Sequence, residues 1–391
     1  MKSRDEQKPK QSQETESVAR ACYILSALEG RGQPARLRDI VDQTHISKAT
    51  AFRILATLQR HGYVIKTPPN GYLPAVARIK QQRIRIGYAA QSEEFAFSRA
   101  VTESIAASAG KAGIDLFVLN NQYSRVIALQ NAEAFIKEGV NLIMEFQTDS
   151  SIAPLLSAKF SEKRVPLIAI EIPHPNATYF GMNNPQAGLC AGRYLGRWAE
   201  ANWKRRVGEV ILLGLPMAGY LPGSRLTGAL LGMQEILPFL EDSQVRVLSG
   251  NGRFQTSYDV LRQYLKKSLH ERILVCGIND PSALGALQAF RDAGRENHCA
   301  IVGHNGSSDA ISEMRHSATR LIGSVGCFPE KYGEQLIALA LQLIDHKAVP
   351  PAVFVKHHLI TPQNLRDYYP LVKTRTRQRK AATAPSPLPP A

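Results

Sequence analysis

The sequence predicts an α/β protein in which a small helical segment with a β-hairpin precedes a much larger body of two doubly wound lobes. Three observations support this prediction. Short amphipathic helices and a hairpin pattern occupy residues 17–76, strand-then-helix alternation fills residues 84–371, and the net charge differs sharply between the two parts. The 391 residues are enough for two or three domains, each with its own core.

Positive charge is concentrated at the two ends of the chain. Residues 1–83 carry +8, from 15 Lys and Arg against 7 Asp and Glu, and residues 373–391 carry +5. The remaining residues, 84–372, contribute only +2 to the total of +15. A nearly neutral body with basic ends indicates that the amino-terminal part meets a polyanion such as nucleic acid, while ordinary solubility charge is the alternative.

The composition argues against secreted and membrane classes. No apolar run reaches the roughly 18 residues of a membrane span, and residues 1–16 lack the apolar core of a signal peptide. The five cysteines are scattered and contain no C-x-x-C pair, which favours reduced thiols over a disulfide framework or a zinc cage. We therefore expect a cytoplasmic protein with a disordered leader (1–16), a linker (77–83) and a disordered tail (372–391).

Three short helices are predicted at the amino-terminal end. Apolar residues recur at helical spacing from 17 to 29 and again from Leu37 to the break at Thr44. Ser47 has the N-cap side chain for a third helix that ends near Gly62. Two short helices joined by a tight turn, the second with a polar outer face, are typical of a helix-turn-helix.

A hairpin follows the third helix. Two short strand-like runs, 63–66 and 72–73, flank a turn that contains Asn70-Gly71, and Asn-Gly is a strong hairpin signal. A hairpin in this position is predicted to form a wing beside the helix-turn-helix.

The outer face of the third helix carries hydroxyl and basic side chains that suit phosphate oxygens and guanine edges. The alternative is a small helical domain whose polar face is merely solvated. The predicted DNA contacts are Ser47, Lys48, Thr50 and Arg53 on that helix, with additional phosphate contacts from Arg36, Arg38, Arg60 and Lys66.

This segment resembles the winged helix-turn-helix of the IclR family of bacterial transcription regulators. The resemblance is carried by Ser17-Val-Ala-Arg-Ala, by Leu37-Arg-Asp-Ile-Val, and by the run from Ile46-Ser-Lys-Ala-Thr-Ala-Phe-Arg to His61-Gly-Tyr-Val. It implies that the third helix enters the major groove of operator DNA. The sequence after it does not resemble the usual effector domain of that family.

Ten strand-like runs alternate with helices through the body, which favours two doubly wound lobes over one sheet. Ligands of such sheets bind beyond the carboxyl ends of the strands, and aromatic, carboxylate, amide and arginine side chains follow several of the predicted strands. Each of these residues alone could be a helix cap, a core residue or a surface charge. The candidate ligand contacts are Phe95, Phe97, Phe146, Glu171, Arg225, Asn279, Asn305 and Cys327.

The body resembles periplasmic sugar-binding proteins and the effector domains of LacI-type repressors, that is, a two-lobed periplasmic-binding-protein type I domain. The resemblance is carried by Ile84-Arg-Ile-Gly-Tyr, Thr148-Asp-Ser, Gly277-Ile-Asn-Asp-Pro-Ser-Ala-Leu-Gly and Ile301-Val-Gly-His-Asn-Gly, among other runs. It implies two lobes that close on a sugar.

Some positions differ from the ribose-binding pattern. Glu171-Ile172 stands where Asp-Arg is usual, and Phe146, Asn305 and Cys327 replace Asn, Asp and a polar amide. The resemblance thus implies a carbohydrate-like ligand without naming it.

Together these patterns predict a ligand-responsive transcription regulator that binds operator DNA as a homodimer, with repression relieved by a sugar as the mode that the resemblance implies. Activation is equally compatible with the residues. The sequence carries no familiar catalytic, phosphate-loop or metal motif, so no enzymatic activity, cofactor or metal is predicted. The alternatives are a solute-binding protein for transport and an α/β sugar-processing enzyme.

Overall fold

The structure is a computed structural model that describes residues 15–29, 33–75 and 84–370. The described residues up to Ile84 form one compact unit, and nearly all of the described residues after it form a second. The predicted linker and tail, the leader up to residue 14, and Gly30 and Gly32, which follow the predicted first helix, lie outside the described residues. The domain boundaries proposed from sequence therefore stay predictions.

The amino-terminal unit contains the three predicted helices. The turn between the second and third helices is made by His45, whose φ of 55° is left-handed and whose amide donates to Val41 O at 2.9 Å. The Ser47 hydroxyl then accepts from the Thr50 amide at 3.3 Å and caps the third helix, as predicted. The helices are Glu16–Glu29 (α1), Leu37–Thr44 (α2) and Lys48–Arg60 (α3).

A three-stranded antiparallel sheet completes this unit. The predicted hairpin is present as Val64–Thr67 (β2) and Gly71–Pro74 (β3), and Ala35–Arg36 (β1) pairs with β3 on the other side. The sequence did not predict β1, because two residues are too few to show a strand pattern. Buried Ile40, Leu55 and other apolar side chains from the helices and the sheet form one core.

The first lobe of the body is built on a six-stranded sheet. Its helices Ala96–Lys111 (α4), Arg125–Lys137 (α5), Ala153–Glu162 (α6) and Tyr332–Ile344 (α12) pack around it. Its strands are Arg85–Ala90 (β4), Asp115–Asn120 (β5), Leu142–Glu145 (β6), Leu167–Ile170 (β7), Thr178–Met182 (β8) and Ala352–Val355 (β14). Their order is β14-β8-β7-β6-β4-β5.

The second lobe is built on another six-stranded sheet, which is parallel except for its last strand. Its strands are Glu209–Gly214 (β9), Val245–Ser249 (β10), Ile273–Gly277 (β11), Cys299–Asn305 (β12), Leu321–Gly326 (β13) and His358–Ile360 (β15), in the order β10-β9-β11-β12-β13-β15. Its helices are Asn184–Trp203 (α7), Tyr220–Ile236 (α8), Phe254–Leu265 (α9), Asp280–Asp292 (α10), Ser308–Glu313 (α11) and Leu365–Tyr368 (α13).

The two-lobed α/β prediction is confirmed, and all ten predicted strands are present within a residue or two of their predicted ends. The sequence missed β14 and β15, which return the chain to the first lobe and then to the second. Within residues 84–370 the chain passes between the lobes three times, after β8, after β13, and between β14 and β15. Among the described residues, no helix combines the length and the apolar composition needed to cross a membrane.

Close helix packing fixes α12 on the first lobe after the second crossing. A Cβ on Gly333 would lie 2.0 Å from the Ser104 carbonyl oxygen of α4, so only glycine permits this approach. The contact keeps the neighbouring Tyr332 at the junction of the lobes.

Candidate functional site

The predicted DNA-binding residues lie on or beside the exposed face of α3. Lys48 and Arg53 are exposed, and neither forms an ion pair with any described residue. Ser47 is exposed, Thr50 is half-buried, and the Ser47 hydroxyl donates to the Thr50 hydroxyl at 2.9 Å. The cap engages the hydroxyls of Ser47 and Thr50. The exposed Lys48, Arg53 and Arg60 of α3 take no part in it.

The remaining basic candidates surround α3 within the same unit. Arg36 precedes α2 and its amide donates to Asp39 Oδ2 at 3.0 Å, while the Arg38 side chain is exposed and lies 3.8 Å from Asp42. Lys66 is exposed on β2 of the wing. The candidates of α2, α3 and the wing thus belong to one compact unit, and their contact with DNA stays a prediction.

A cavity of about 320 Å³ lies between the two lobes of the body, at the carboxyl ends of their strands. That size falls at the lower end of the range for small-molecule sites. The first lobe contributes residues that follow β4, β6 and β7, and the second contributes residues that follow β9 and β11 and end β12. The cavity therefore occupies the position that the strand-end argument predicted.

Seven of the eight ligand candidates line this cavity. Phe95 and Asn279 are half-buried and the others are buried. The seven are Phe95, Phe97, Phe146, Glu171, Arg225, Asn279 and Asn305.

Cys327 is the exception and corrects the sequence prediction. It directly follows β13, but its thiol is buried behind the cavity, where Sγ lies 3.6 Å from the Asn305 carbonyl oxygen. Burial raises the pKa of this thiol, so it stays protonated. Its amide also donates to the Asn305 carbonyl oxygen at 3.3 Å, so Cys327 supports Asn305 from behind the cavity.

Arg225, on α8 of the second lobe, joins both lobes at the base of the cavity. Its Nη2 donates to Glu171 Oε2 of the first lobe at 3.0 Å, and both side chains are only 8% exposed. Within the second lobe, Nε donates to Asn184 Oδ1 at 2.5 Å and Nη1 donates to Asn305 Oδ1 at 3.0 Å and to Ile278 O at 3.2 Å. Four of its five N–H groups are therefore held by the protein.

Glu171 is held from the first lobe as well. The Tyr332 hydroxyl donates to its Oε1 at 2.7 Å, so each carboxylate oxygen has a partner. Its φ of 61° is left-handed, a conformation that an L-residue rarely adopts and that here directs the side chain toward Arg225. The ion pair thus links the strand end of one lobe to a helix of the other.

A second set of contacts joins the lobes at the mouth of the cavity, and the sequence did not predict it. Arg253, immediately before α9, donates to Glu94 Oε1 at 3.1 Å. Its guanidinium carbon lies 5.0 Å from the centre of the Tyr123 ring and 5.8 Å from that of Phe95. On another part of the rim the Ser150 hydroxyl donates to Met217 O at 3.1 Å.

Tyr123 could have been found by the rule that found the other residues. It follows β5 by three residues, has a left-handed φ of 58°, and lines the cavity. Burial raises the pKa of its hydroxyl to about 12, so the group is neutral. Arg253 has no such signal, because its contacts are with residues of the other lobe.

Two family matches cover most of the chain. Residues 86–348 match the family described as "Periplasmic binding protein domain". Residues 17–68 match the IclR helix-turn-helix domain. The resemblances to the IclR helix-turn-helix and to periplasmic binding proteins are thereby confirmed, and the resemblance to LacI-type effector domains stays a prediction.

A curated relative and solved structures agree with these matches. A putative rhizopine-binding protein of Rhizobium meliloti is 21% identical over 271 residues, which cover 66% of this chain and 82% of that protein. A periplasmic solute-binding protein of Actinobacillus succinogenes with bound D-allose has a TM-score of 0.63 at 19% identity, over 73% of this chain and 100% of that one.

A solute-binding protein of Bacillus halodurans with bound myo-inositol also has a TM-score of 0.63, at 18% identity, over 73% of this chain and 97% of that one. At this level of identity the structural similarities establish the fold. With the family match over residues 86–348, the chain belongs to the periplasmic binding protein domain family and carries an IclR helix-turn-helix domain ahead of that domain.

Proposed function

We propose that this chain is a ligand-responsive transcription regulator in which a small molecule bound between the two lobes changes the affinity of the winged helix-turn-helix for operator DNA. The observation that carries the proposal is the presence, in one chain, of an IclR helix-turn-helix and of a two-lobed binding domain with a cavity between its lobes. A protein that only delivers solute to a transporter has no use for the first of these. We assign the protein to the cytoplasm because that is where it would meet DNA.

The effector class follows from the same comparisons. Two of the solved structures hold D-allose and myo-inositol, and the cavity of this chain combines aromatic side chains with amides and carboxylates. Rings pack on the apolar faces of such molecules, while amides and carboxylates bind hydroxyls. A monosaccharide, a cyclic polyol or a close derivative is therefore the ligand class that we propose, bound without chemical turnover.

Operator binding is proposed to require a homodimer. The recognition helix has 13 residues and reads few base pairs by itself, so two copies on paired half-sites would supply the specificity. Repression relieved by ligand is the mode implied by resemblance to LacI-type repressors. Light scattering of the purified chain, free and on its operator, measures the stoichiometry directly.

The DNA-binding half of the proposal is tested by selecting bound duplexes from a random library with the purified full chain. The selected sequence should bind the wild type at least about a thousandfold more tightly than a scrambled duplex at physiological salt. Arg53→Ala should abolish that preference, whereas Arg125→Ala, an exposed arginine of α5 in the body, should leave it intact. Equal affinity of the wild type for selected and scrambled duplexes would contradict the assignment.

The ligand half is tested by thermal shift against sugars, sugar alcohols and sugar phosphates. A ligand at about 100 times its Kd adds about 2.7 kcal/mol of stability, and a hit should then change the affinity for the selected operator. A ligand that stabilises the protein and leaves operator affinity unchanged would argue for binding without regulation. Chemical conversion of the ligand would instead favour the sugar-processing enzyme.

A further inference from the structure

The deepest polar side chains of the cavity are largely committed to partners within the protein. Both oxygens of Glu171 and four of the five N–H groups of Arg225 have protein partners. Asn279 is also engaged at both ends, since its Oδ1 accepts from the Ser282 amide at 3.0 Å and its Nδ2 donates to Gly252 O at 2.9 Å. Arg225 and Asn279 therefore keep one N–H each, and a ligand hydroxyl can reach Glu171 only at the lone pairs that Arg225 and Tyr332 leave.

The wall between these groups is apolar on both lobes. Phe97 and Phe146 meet edge to face with ring centres 6.2 Å apart, and Ile172 follows Glu171 directly. Phe254 and Ile278 face them from the second lobe. A ligand enclosed here therefore meets aromatic and aliphatic carbon over much of its surface.

The free energy of ligand binding against an apolar wall depends on the number of hydroxyl groups that the ligand buries there. Each hydroxyl can donate one hydrogen bond and accept two, and a hydroxyl buried without a partner is destabilising. Replacing that hydroxyl by hydrogen, or capping it with a methyl group, removes the unsatisfied group and adds apolar contact. An apolar wall therefore favours a ligand with fewer free hydroxyl groups over a closely related ligand with more.

We infer that the cavity selects a sugar or cyclic polyol that carries an apolar substituent, as a deoxy or O-methyl compound does, over its fully hydroxylated parent. This inference rests on the proposed function and narrows its ligand class. Phe146 and Ile172 are the specificity-determining residues, because both line the first-lobe side of the cavity and both are nearly fully buried, at 2% and 4% exposure. They are also positions where the ribose-binding pattern has polar residues.

The test is calorimetric titration of the purified full chain with matched pairs. The pairs are D-galactose and 6-deoxy-D-galactose, D-glucose and methyl β-D-glucopyranoside, and myo-inositol and its mono-O-methyl ethers. In at least one pair the substituted member should bind about tenfold more tightly, since a single methyl group in an apolar pocket has an effect of this size.

The outcomes separate this inference from the proposed function. Parents that bind as tightly as their substituted partners, in every pair that binds, would overturn the inference and leave the regulator intact. Absence of binding by all members of the three pairs would overturn both the proposed effector class and the inference.

Variants assign the preference to the two residues. Phe146→Tyr adds one hydroxyl to the wall and Ile172→Thr exchanges an ethyl group for one, so each should reduce the preference within a pair to less than about threefold. Val126→Thr, at an exposed position of α5, is the matched control and should leave the preference unchanged. An unchanged preference in both cavity variants would show that other residues set the selectivity.

Discussion

Replacing Arg225 by methionine should destabilise the two-lobed body by about 3–5 kcal/mol, the usual cost of removing one partner from a buried ion pair. The size of this loss of stability follows from the burial of the ion pair and from the number of its hydrogen bonds. Arg225 and Glu171 are each 8% exposed, and the substitution removes a 3.0 Å ion pair together with the bonds to Asn184, Asn305 and Ile278 O. It leaves the Glu171 carboxylate buried with only the Tyr332 hydroxyl as a partner.

Urea denaturation of the full chain measures this loss, and thermal unfolding should show a decrease of about 6–10 °C at about 2 °C per kcal/mol for a body of this size. The control is Arg193→Met in the neighbouring helix α7. Arg193 also faces a glutamate, with Nε 2.6 Å from Glu235 Oε2, but these side chains are 48% and 47% exposed. An exposed pair contributes at most about 1 kcal/mol, so the control should lose far less stability.

A double variant tests whether the loss of stability comes from the unpaired charge on the buried Glu171 carboxylate. Glu171→Gln keeps an oxygen for the Tyr332 hydroxyl and removes the buried charge, so Arg225→Met with Glu171→Gln should be at least about 1 kcal/mol more stable than Arg225→Met alone. Two results would refute the buried ion pair as the cause. One is an Arg225→Met variant whose free energy of unfolding falls no more than that of Arg193→Met, and the other is a double variant that is no more stable than Arg225→Met.

Three further predictions concern other parts of the molecule. Burial raises the pKa of Glu145 from 4.5 to about 8, so the native state holds the proton longer than the unfolded state, and the contribution of this group to stability should fall as pH rises from about 4.5 to 8, by up to about 1.4 kcal/mol per unit. Urea denaturation at pH 5, 6 and 7 should show the wild type losing stability relative to Glu145→Gln, since the buried Asp280 and His304 titrate in both proteins; equal slopes would contradict it. Arg253→Ala removes the contacts at the mouth of the cavity and should weaken ligand binding about three- to tenfold by calorimetry. The control Arg262→Ala, within α9, should leave the affinity unchanged. Identical affinities of wild type and Arg253→Ala would argue against closure by Arg253. Lys66→Ala on the wing should reduce the slope of log operator affinity against log salt by about 0.9 if this side chain neutralises one phosphate, and an unaltered slope would exclude the wing contact.

The sequence predicted those parts of the fold that have a local signal. Alternating strands and helices revealed both sheets, and the Ser47 cap and the Asn70-Gly71 turn fixed the amino-terminal unit because capping and turn geometry depend on adjacent residues. The missed strands β1, β14 and β15 are two to four residues long, and each is defined by a partner far away in the chain. Their pairing is a tertiary property, which no short window of sequence contains.

The cavity was predictable to a similar extent. The strand-end rule placed Arg225 and six other residues correctly in its wall, since the ends of parallel strands meet at one edge of a sheet. It did not place Cys327, whose buried thiol contacts the Asn305 carbonyl oxygen and does not line the cavity. It gave no indication of Arg253, whose partners belong to the other lobe, or that Arg225 pairs with Glu171 across the cleft.

That pairing also determines how substitutions should affect ligand binding. A ligand enclosed by both lobes binds the closed arrangement, so its apparent Kd equals the intrinsic Kd divided by the fraction of molecules that are closed. Because the Arg225–Glu171 pair bridges the lobes and both side chains already have protein partners, we expect it to stabilise closure and not to choose among ligands. We therefore expect Glu171→Gln to weaken all ligands by one common factor and to preserve their rank order.

Residues of the apolar wall should behave differently. Phe146→Tyr changes contacts that each ligand makes to a different extent, so it should alter the rank order within matched pairs while leaving closure in the absence of ligand unaffected. Titrating both variants with the same ligand series separates the two roles. A change of rank order in Glu171→Gln would show that the carboxylate contacts the ligand directly, and that the ion pair gives way when the cavity is filled.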